Sequence, residues 1–455
     1  MASEQQKQPW HLTAAEALPL LQSGDLKAED YVNSLLHRIQ QRDEAVKAWV
    51  YLNPNQVIQQ ARHLDEVSAK ARGPLHGLPV AVKDVILTKD MPTQYNSKLF
   101  ESETPIAADA NCVMSLRAAG AIIFGKTSTT EFATTKQGNW HQNLTTNPHD
   151  KTRTPGGSSS GSGAAVGDFQ IPISLGTQTG GSIIRPASFN GCYGFKPTWG
   201  AISREGLAQW SVTLDTCGFF TRSVEDLELL SDFFNIRDDG APPSKPFTLK
   251  GATFGFCKST YWPSAGAGTR KAMQTAKSIL EKHGAIVEDV ELPNDFDKVL
   301  GWHAAVSARE GQASFLGQLM TDRTHLHDNI IGYGENRGNV SRKDQLEAYD
   351  ECARLRPILD AIASKYDAII TPSVVDEAPA DVGNTGDMNF CSTWTIMHVP
   401  ALNIPGFAGE HGMPIGLTAV CPRFKDRQLL HVARTLGPVF AAEGGWQPGH
   451  NGVPQ

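Results

Sequence analysis

The sequence of 455 residues has no long apolar run, few cysteines and no excess of positive charge. No apolar stretch reaches the ~18 residues that a membrane-spanning helix needs, and the N-terminal residues lack the basic-then-apolar order of a signal peptide. The seven cysteines are scattered without a CxxC pair, which predicts reduced thiols and a cytoplasmic location. The net charge of −7 argues against nucleic acid as a partner. No His/Cys/Asp cluster has the spacing of a metal site.

The remaining composition is that of an ordinary globular protein, with 40% hydrophobic and 20% charged residues. Residues 13–70 space their apolar positions at helical intervals and predict helices. Further on, helical segments alternate with short β-rich apolar runs such as GLPVAVK, which ends at Lys83, and YDAIITPSV at 366–374. This alternation predicts a layered α/β protein with a mostly buried sheet.

Two matches to known motifs lack the structural context that their mechanisms need. Residues 120–127, GAIIFGKT, fit the phosphate-binding expression GxxxxGK[ST], but a helix is predicted before them and their variable positions are apolar. We therefore predict a buried strand, with nucleotide binding as a rival function. Residues 157–161, GSSSG, fit the nucleophile elbow around Ser159, yet the preceding segment is polar and interrupted by proline where an elbow requires an apolar strand.

Two glycine–serine blocks, at 152–167 and 176–188, lie between apolar segments and are not typical of a flexible linker. We predict that their glycines are held in fixed conformations inside the fold. In the second block, Gly180 and Gly181 directly precede Ser182, and consecutive glycines can turn their backbone N–H groups toward one point. Such a turn is typical of an oxyanion hole beside a nucleophilic serine.

A serine nucleophile requires a base, and no histidine of the sequence stands in a setting typical of one. Lys83 ends the apolar run GLPVAVK, where burial could hold its amine neutral and make it the base. Its neighbour Asp84 would oppose a neutral amine, but strand alternation predicts that the two side chains point to opposite faces.

Three segments of this sequence together resemble the amidase signature family: GLPVAVKD, TPGGSSSGSGAAV and GTQTGGSIIRPASFNGCYGFKPT. The resemblance extends over nearly the whole chain and implies one large layered α/β/α domain with a mixed central β-sheet covered by helices. Residues 1–70 are expected as a helical segment packed on a catalytic domain at 71–455. The family's Ser–cisSer–Lys triad falls on Ser182, Ser158 and Lys83, with a cis peptide bond between Gly157 and Ser158.

The resemblance also implies the surroundings of this triad, without a cofactor or a metal. The residues expected to supply the oxyanion hole are Thr179, Gly180, Gly181 and Ser182. The residues expected to line the substrate pocket are Phe132, Ala133, Thr134, Gly157 and Gln178. The segment 134–143 is a further candidate wall, and Trp140 or Trp394 a candidate stacking partner for a substrate.

The function implied is an amidase that hydrolyses the carbon–nitrogen bond of a linear, non-peptide amide through an acyl-enzyme, with aryl esters or carbamates as further substrates. The chain is expected to act on a small-molecule substrate as a monomer or homodimer, with no nucleic acid and no membrane as partners. The alternative is an amidotransferase-type subunit that uses glutamine with partner chains. Many family members have Asp at the position of Gln178 and arginine two residues after the nucleophile, whereas Arg185 stands three after it. These departures argue against the alternative.

Overall fold

A computed structural model describes residues 8–101, 104–134, 144–240 and 245–447 of the chain. The strands are β1 Trp49–Tyr51, β2 Pro79–Lys83, β3 Ile122–Thr127, β4 Ile173–Gln178, β5 Tyr193–Lys196, β6 Thr216–Thr221, β7 Thr253–Phe256, β8 Ile286–Asp289, β9 Ala368–Pro372, β10 Ala401–Ala408 and β11 Pro414–Val420. They form an eleven-stranded sheet in the order β1-β3-β2-β4-β6-β5-β10-β11-β9-β7-β8. Strand β2 runs parallel to both β3 and β4, and β7 runs parallel to both β8 and β9, while the other neighbours are antiparallel.

Helices flank this mixed sheet, which confirms the predicted fold class. In the described part of the chain they are α1 Ala14–Ser23, α2 Ala28–Val46, α3 Pro54–Asp65, α4 Asn111–Ala118, α5 Ser160–Gly167, α6 Ile184–Asn190, α7 Val224–Phe233, α8 Ala267–Lys282, α9 Val299–Ser314, α10 Leu316–Asp322, α11 Asp328–Gly334, α12 Arg342–Ala363, α13 Asn389–Ile396 and α14 Asp426–Glu443. Every residue of α5 and α6 is buried. The two glycine–serine blocks therefore lead into helices of the interior.

The N-terminal segment contains three helices, as its periodicity predicts, and one strand that the periodicity did not predict. Helix α1 begins at a capping box in which Thr13 accepts a hydrogen bond from the N–H of Glu16. Strand β1 extends the sheet by pairing with β3, so the short run WVY contributes an edge strand. Buried side chains of the segment, including Leu35 and Val57, belong to the same hydrophobic core as the central strands. A domain boundary after residue 70 stays a prediction.

The positions of β2 and β4 determine where the candidate site lies. All five residues of β2 are buried, and the strand lies between β3 and β4. Because β2 and β4 are parallel, their carboxyl ends, Lys83 and Gln178, lie at the same edge of the sheet. The turn that carries Ser182 leaves the sheet at this edge.

The phosphate-loop match at 120–127 is a buried strand, as we predicted. Helix α4 is followed by a turn in which Gly120 has a φ of +85°, and β3 begins at Ile122. Lys126, the lysine of the match, is fully buried, with its Nζ 3.2 Å from Asp84 Oδ1. This pair lies on the opposite face of the sheet from the Lys83 amine, as alternation along the chain predicts. In the described part of the chain, no helix is long and apolar enough to cross a membrane.

We expect the variant Lys126→Ala to lower the free energy of unfolding by about 3–5 kcal/mol, because it leaves the buried Asp84 carboxylate without its partner. Urea denaturation measures this loss. The exposed lysine variant Lys70→Ala is the matched control and should change the stability by less than about 0.5 kcal/mol. Equal, small losses in both variants would contradict this account of the pair.

Candidate active site

The Lys83 side chain is fully buried at the end of β2 and is surrounded by hydroxyl groups. Its Nζ donates a 2.8 Å hydrogen bond to Ser158 Oγ and another of 2.8 Å to Thr177 Oγ1. Hydroxyl groups accept as well as donate hydrogen bonds, so the same contacts suit a neutral amine that accepts a proton from one of them. The structure thus brings together two of the three residues of the expected triad.

Burial lowers the pKa of Lys83 well below its usual value of 10.5, because a charged amine loses its hydration there. The largest opposing effect on this pKa comes from the negative charge of Asp215, and the nearby Arg185 guanidinium lowers the pKa further. Asp84 does not contribute to this balance, since its carboxylate pairs with Lys126. The amine is therefore a base of the kind that the sequence predicts at this position.

Ser158 is held against Lys83 by a rigid backbone. The peptide bond between Gly157 and Ser158 is cis, as the family resemblance implies. The carbonyl of Gly157 accepts a 2.6 Å hydrogen bond from Arg185 Nη2, and that of Ser158 accepts one of 3.2 Å from the N–H of Thr130. Arg185 lies in the first turn of α6, directly after Ser182, and so connects the two glycine–serine blocks.

The other serines of the first block attach it to the sheet. Ser159 Oγ donates a 3.2 Å hydrogen bond to the carbonyl of Thr177, and Ser162 Oγ donates one of 2.9 Å to the carbonyl of Leu175. The glycines permit a close approach, since a Cβ atom at Gly161 would lie 2.2 Å from the carbonyl oxygen of Ala48. The serines and glycines of this block therefore have structural roles beside the catalytic one expected for Ser158.

The turn at 179–182 follows β4 and carries Ser182, whose side chain is 6% exposed. Within the described part of the chain, the N–H groups of Gly180, Gly181 and Ser182 form no hydrogen bond. By contrast, the next two N–H groups, of Ile183 and Ile184, both donate to Gln178 Oε1. Unpaired N–H groups in a buried turn are available to an oxyanion.

The expected pocket residues have different positions in the structure. Ala133 lines a cleft beside the turn, and Phe132 lies in an aromatic cluster with its ring stacked on Tyr95, 5.6 Å between centroids. Thr134 donates its hydroxyl to the carbonyl of Glu131. The Gln178 side chain lies behind the turn, where it binds N–H groups of α6.

Two further predictions about the pocket have different outcomes. The segment 135–143 with Trp140 lies outside the described residues. Trp394 is buried in a hydrophobic cluster and is a core residue.

The cleft beside the turn contains charged residues that sequence reasoning missed. Its walls include Thr179, Arg204, Trp210 and Asp215. The Asp215 carboxylate accepts hydrogen bonds from the Thr179 hydroxyl and from the N–H of Trp210, and burial raises its pKa to about 6. The one available signal in the sequence was an isolated acidic residue just before the apolar run TCGFFT.

Two residues that contact the turn from distant helices were also missed. His303 of α9 bonds to the carbonyl of Thr179, and Thr395 of α13 bonds to the carbonyl of Gly180. No motif in the sequence connects these helices to the second glycine–serine block. Among the described residues, no cluster of three His, Cys, Asp or Glu side chains could hold a metal ion.

The fold and this site define a class of protein: an α/β hydrolase with a large mixed sheet that acts on carbon–nitrogen bonds. A family model described as Amidase matches residues 30–430, and the chain belongs to this family, the amidase signature family. A solved structure described as an amidase superposes with a TM-score of 0.84 at 29% identity, covering 94% of this chain and 99% of that one.

The curated relatives have a more specific name, since each is a subunit of glutamyl-tRNA(Gln) amidotransferase. The chain is 38% identical to the subunit from Chloroflexus aurantiacus, over 93% of this chain and 95% of that protein. It is 32% identical to the corresponding subunit from Shouchella clausii, over 91% of this chain and 94% of that protein. The similarity to these proteins is thus not confined to the catalytic motifs.

These relatives correct one prediction. The expected monomer or homodimer, acting on a small-molecule substrate alone, is wrong, because relatives that align over nearly their full length are subunits of an amidotransferase. The comparisons also support the amidotransferase alternative better than the stand-alone amidase. The departures at Gln178 and Arg185 gave the wrong direction because each side chain has a local structural partner: Gln178 binds N–H groups of α6, and Arg185 binds the carbonyl of Gly157.

We expect the stability of the wild type relative to Lys83→Met to rise with pH above neutrality. The folded-state pKa of Lys83 is lowered, so between that pKa and the unfolded value near 10.4 the unfolded chain binds one more proton than the folded one. The difference in unfolding free energy should therefore rise by up to about 1.4 kcal/mol per pH unit.

Urea denaturation of both proteins between pH 7 and 9.5 measures this slope. The exposed variant Lys70→Met serves as the control and should differ from the wild type by an amount that does not change with pH. A constant difference for Lys83→Met as well would show that Lys83 keeps an ordinary pKa.

Proposed function

We propose that the chain hydrolyses an amide bond with Ser182 as nucleophile, Ser158 as proton relay and Lys83 as base. The observation that carries the proposal is the buried Lys83 amine, 2.8 Å from Ser158 Oγ and with a strongly lowered pKa. Neutral Lys83 takes the proton of Ser158, which takes the proton of Ser182. Ser182 Oγ then forms a bond to the amide carbon.

The second half of the reaction breaks the carbon–nitrogen bond. The negative oxygen of the tetrahedral intermediate is held by unpaired N–H groups among Thr179, Gly180, Gly181 and Ser182, each of which contributes roughly 2.7–4 kcal/mol. Ser158 returns a proton to the leaving nitrogen, which departs as ammonia or an amine. Water releases the acyl group from Ser182 by the same relay, and no cofactor takes part.

Glutamine is the amide donor that we propose, with the chain acting as the amide-hydrolysing member of an assembly with partner chains. The names of the curated relatives support this setting. The cleft beside the turn supports it as well, since Arg204 and Asp215 among its lining residues offer both charges. A cleft of this kind suits a polar, charged amide better than a long hydrocarbon chain.

We expect Ser182→Ala to abolish ammonia release from glutamine, because no other group replaces the nucleophile. Lys83→Ala should lower amide turnover by about 10²–10⁴-fold and affect an activated aryl ester much less. An aryl oxide leaves without a proton, whereas an amine requires one. Ammonia release and aryl oxide absorbance, measured at several pH values, give the two rates.

Two outcomes would contradict parts of this proposal. Full activity of Ser182→Ala would reject the nucleophile, and equal losses on amide and ester in Lys83→Ala would reject the proton relay. The assembly is tested by isolating the tagged chain from its source and comparing glutamine with simple aliphatic and aryl amides. A chain without partners that prefers a simple amide would contradict the glutamine-dependent setting.

A further inference from the structure

The turn at 179–182 is held on one side by two side chains that come from far along the chain. His303 Nε2, on α9, donates a 2.9 Å hydrogen bond to the carbonyl oxygen of Thr179. Thr395 Oγ1, on α13, donates one of 2.7 Å to the carbonyl oxygen of Gly180. A carbonyl oxygen only accepts hydrogen bonds, so His303 carries its proton on Nε2. Both donors are buried, and burial lowers the pKa of His303, which keeps the imidazole neutral.

These two contacts fix the directions of two backbone N–H groups. In a trans peptide the C=O and the following N–H point in opposite directions. The bonds from Thr179 to Gly180 and from Gly180 to Gly181 are trans, because the cis bond of the described residues is at 157–158. With both carbonyls turned toward α9 and α13, the N–H groups of Gly180 and Gly181 point away from those helices. They are also the N–H groups that have no partner within the described residues.

The side of the turn that faces α13 is tightly packed. A Cβ atom at Gly180 would lie 2.4 Å from Met388 Sδ, and one at Gly181 would lie 3.1 Å from Cys391 Sγ. Glycine at both positions therefore permits the approach of α13 that brings Thr395 within hydrogen-bond distance. Gln178 adds to this arrangement, since its Nε2 donates a 3.0 Å hydrogen bond to Thr395 Oγ1.

We propose that His303 and Thr395 are positioning residues that orient the N–H groups of Gly180 and Gly181 toward the oxyanion. Neither side chain touches the substrate; each acts through the carbonyl that it holds. The proposal rests on the function proposed above and adds two residues to it, from helices that belong to neither glycine–serine block. It also explains why a buried neutral histidine lies beside a serine nucleophile without acting as its base.

The test compares Thr395→Val, which keeps the shape and removes the hydroxyl, with Thr395→Ser, which keeps the hydroxyl. An oxyanion exists only in the transition state and the intermediate, so Thr395→Val should lower kcat by about 10- to 100-fold with little change in KM. Thr395→Ser should recover most of that loss. Ser392→Ala, which removes another hydroxyl of α13, is the matched control and should keep the wild-type kcat.

The His303 pair provides a second, independent measurement. His303→Phe removes the donor, and His303→Gln places an amide N–H where Nε2 was. We expect a fall in kcat for the first and partial recovery for the second. Because the oxyanion forms with every carbonyl substrate, amide and activated-ester turnover should fall by similar factors. This distinguishes the two positioning residues from Lys83, whose loss affects the amide more.

The results separate this inference from the proposed function. If Ser182→Ala is inactive but Thr395→Val and His303→Phe both keep the wild-type kcat, the positioning role is wrong and the nucleophile stands. If Ser182→Ala is active, the proposed function itself fails. A rise in KM at constant kcat in both positioning variants would assign them to substrate binding and overturn the proposal. If Thr395→Val does not fold, the His303 pair decides alone.

Discussion

The removal of the Lys83 amine from water is the constraint on which the rest of the site depends. An amine in water would be charged at neutral pH, and its low pKa here follows from burial at the end of a central strand. The surrounding groups are arranged so that they do not restore the charge. Asp84 is directed to the other face, where it pairs with Lys126, and Asp215 is itself buried and bound to the Thr179 hydroxyl. The sheet thus separates an ion pair on one face from an uncharged amine and its hydroxyl neighbours on the other.

The glycine–serine blocks solve a packing problem that this burial creates. A backbone segment must reach the amine without admitting water, and bulky side chains would prevent that approach. Small residues allow α5 to be buried along its whole length, with hydroxyl groups of Ser159 and Ser162 satisfying carbonyls of β4. Arg185 then joins the first block to the second through the carbonyl of Gly157. Low side-chain volume and many hydroxyl groups are two requirements of the same close contact.

Local sequence was sufficient to predict the features that are local in the structure. The apolar run that ends at Lys83 predicts β2, and the two blocks predict fixed turns; the cis bond before Ser158 followed from the family resemblance. The strand β1 was missed because three residues carry too little periodicity. His303 and Thr395 contact residues 124 and 215 positions away, and a histidine or threonine on a helix gives no sign of a partner at that distance. The expectation of a chain acting alone was wrong because catalytic motifs report on the bond that is broken and carry no information about assembly.

The distance in sequence between the reacting groups and the two positioning residues has a consequence for the growing polypeptide. Lys83, Ser158 and Ser182 all leave the ribosome well before Thr395, so an unfinished chain can carry the complete set of reactive side chains. It lacks the hydrogen bond that orients the peptide after Gly180. Synthesis therefore delays full hydrolytic competence until nearly nine-tenths of the polypeptide has been made, and a prematurely terminated product is an inefficient enzyme even if its first half folds.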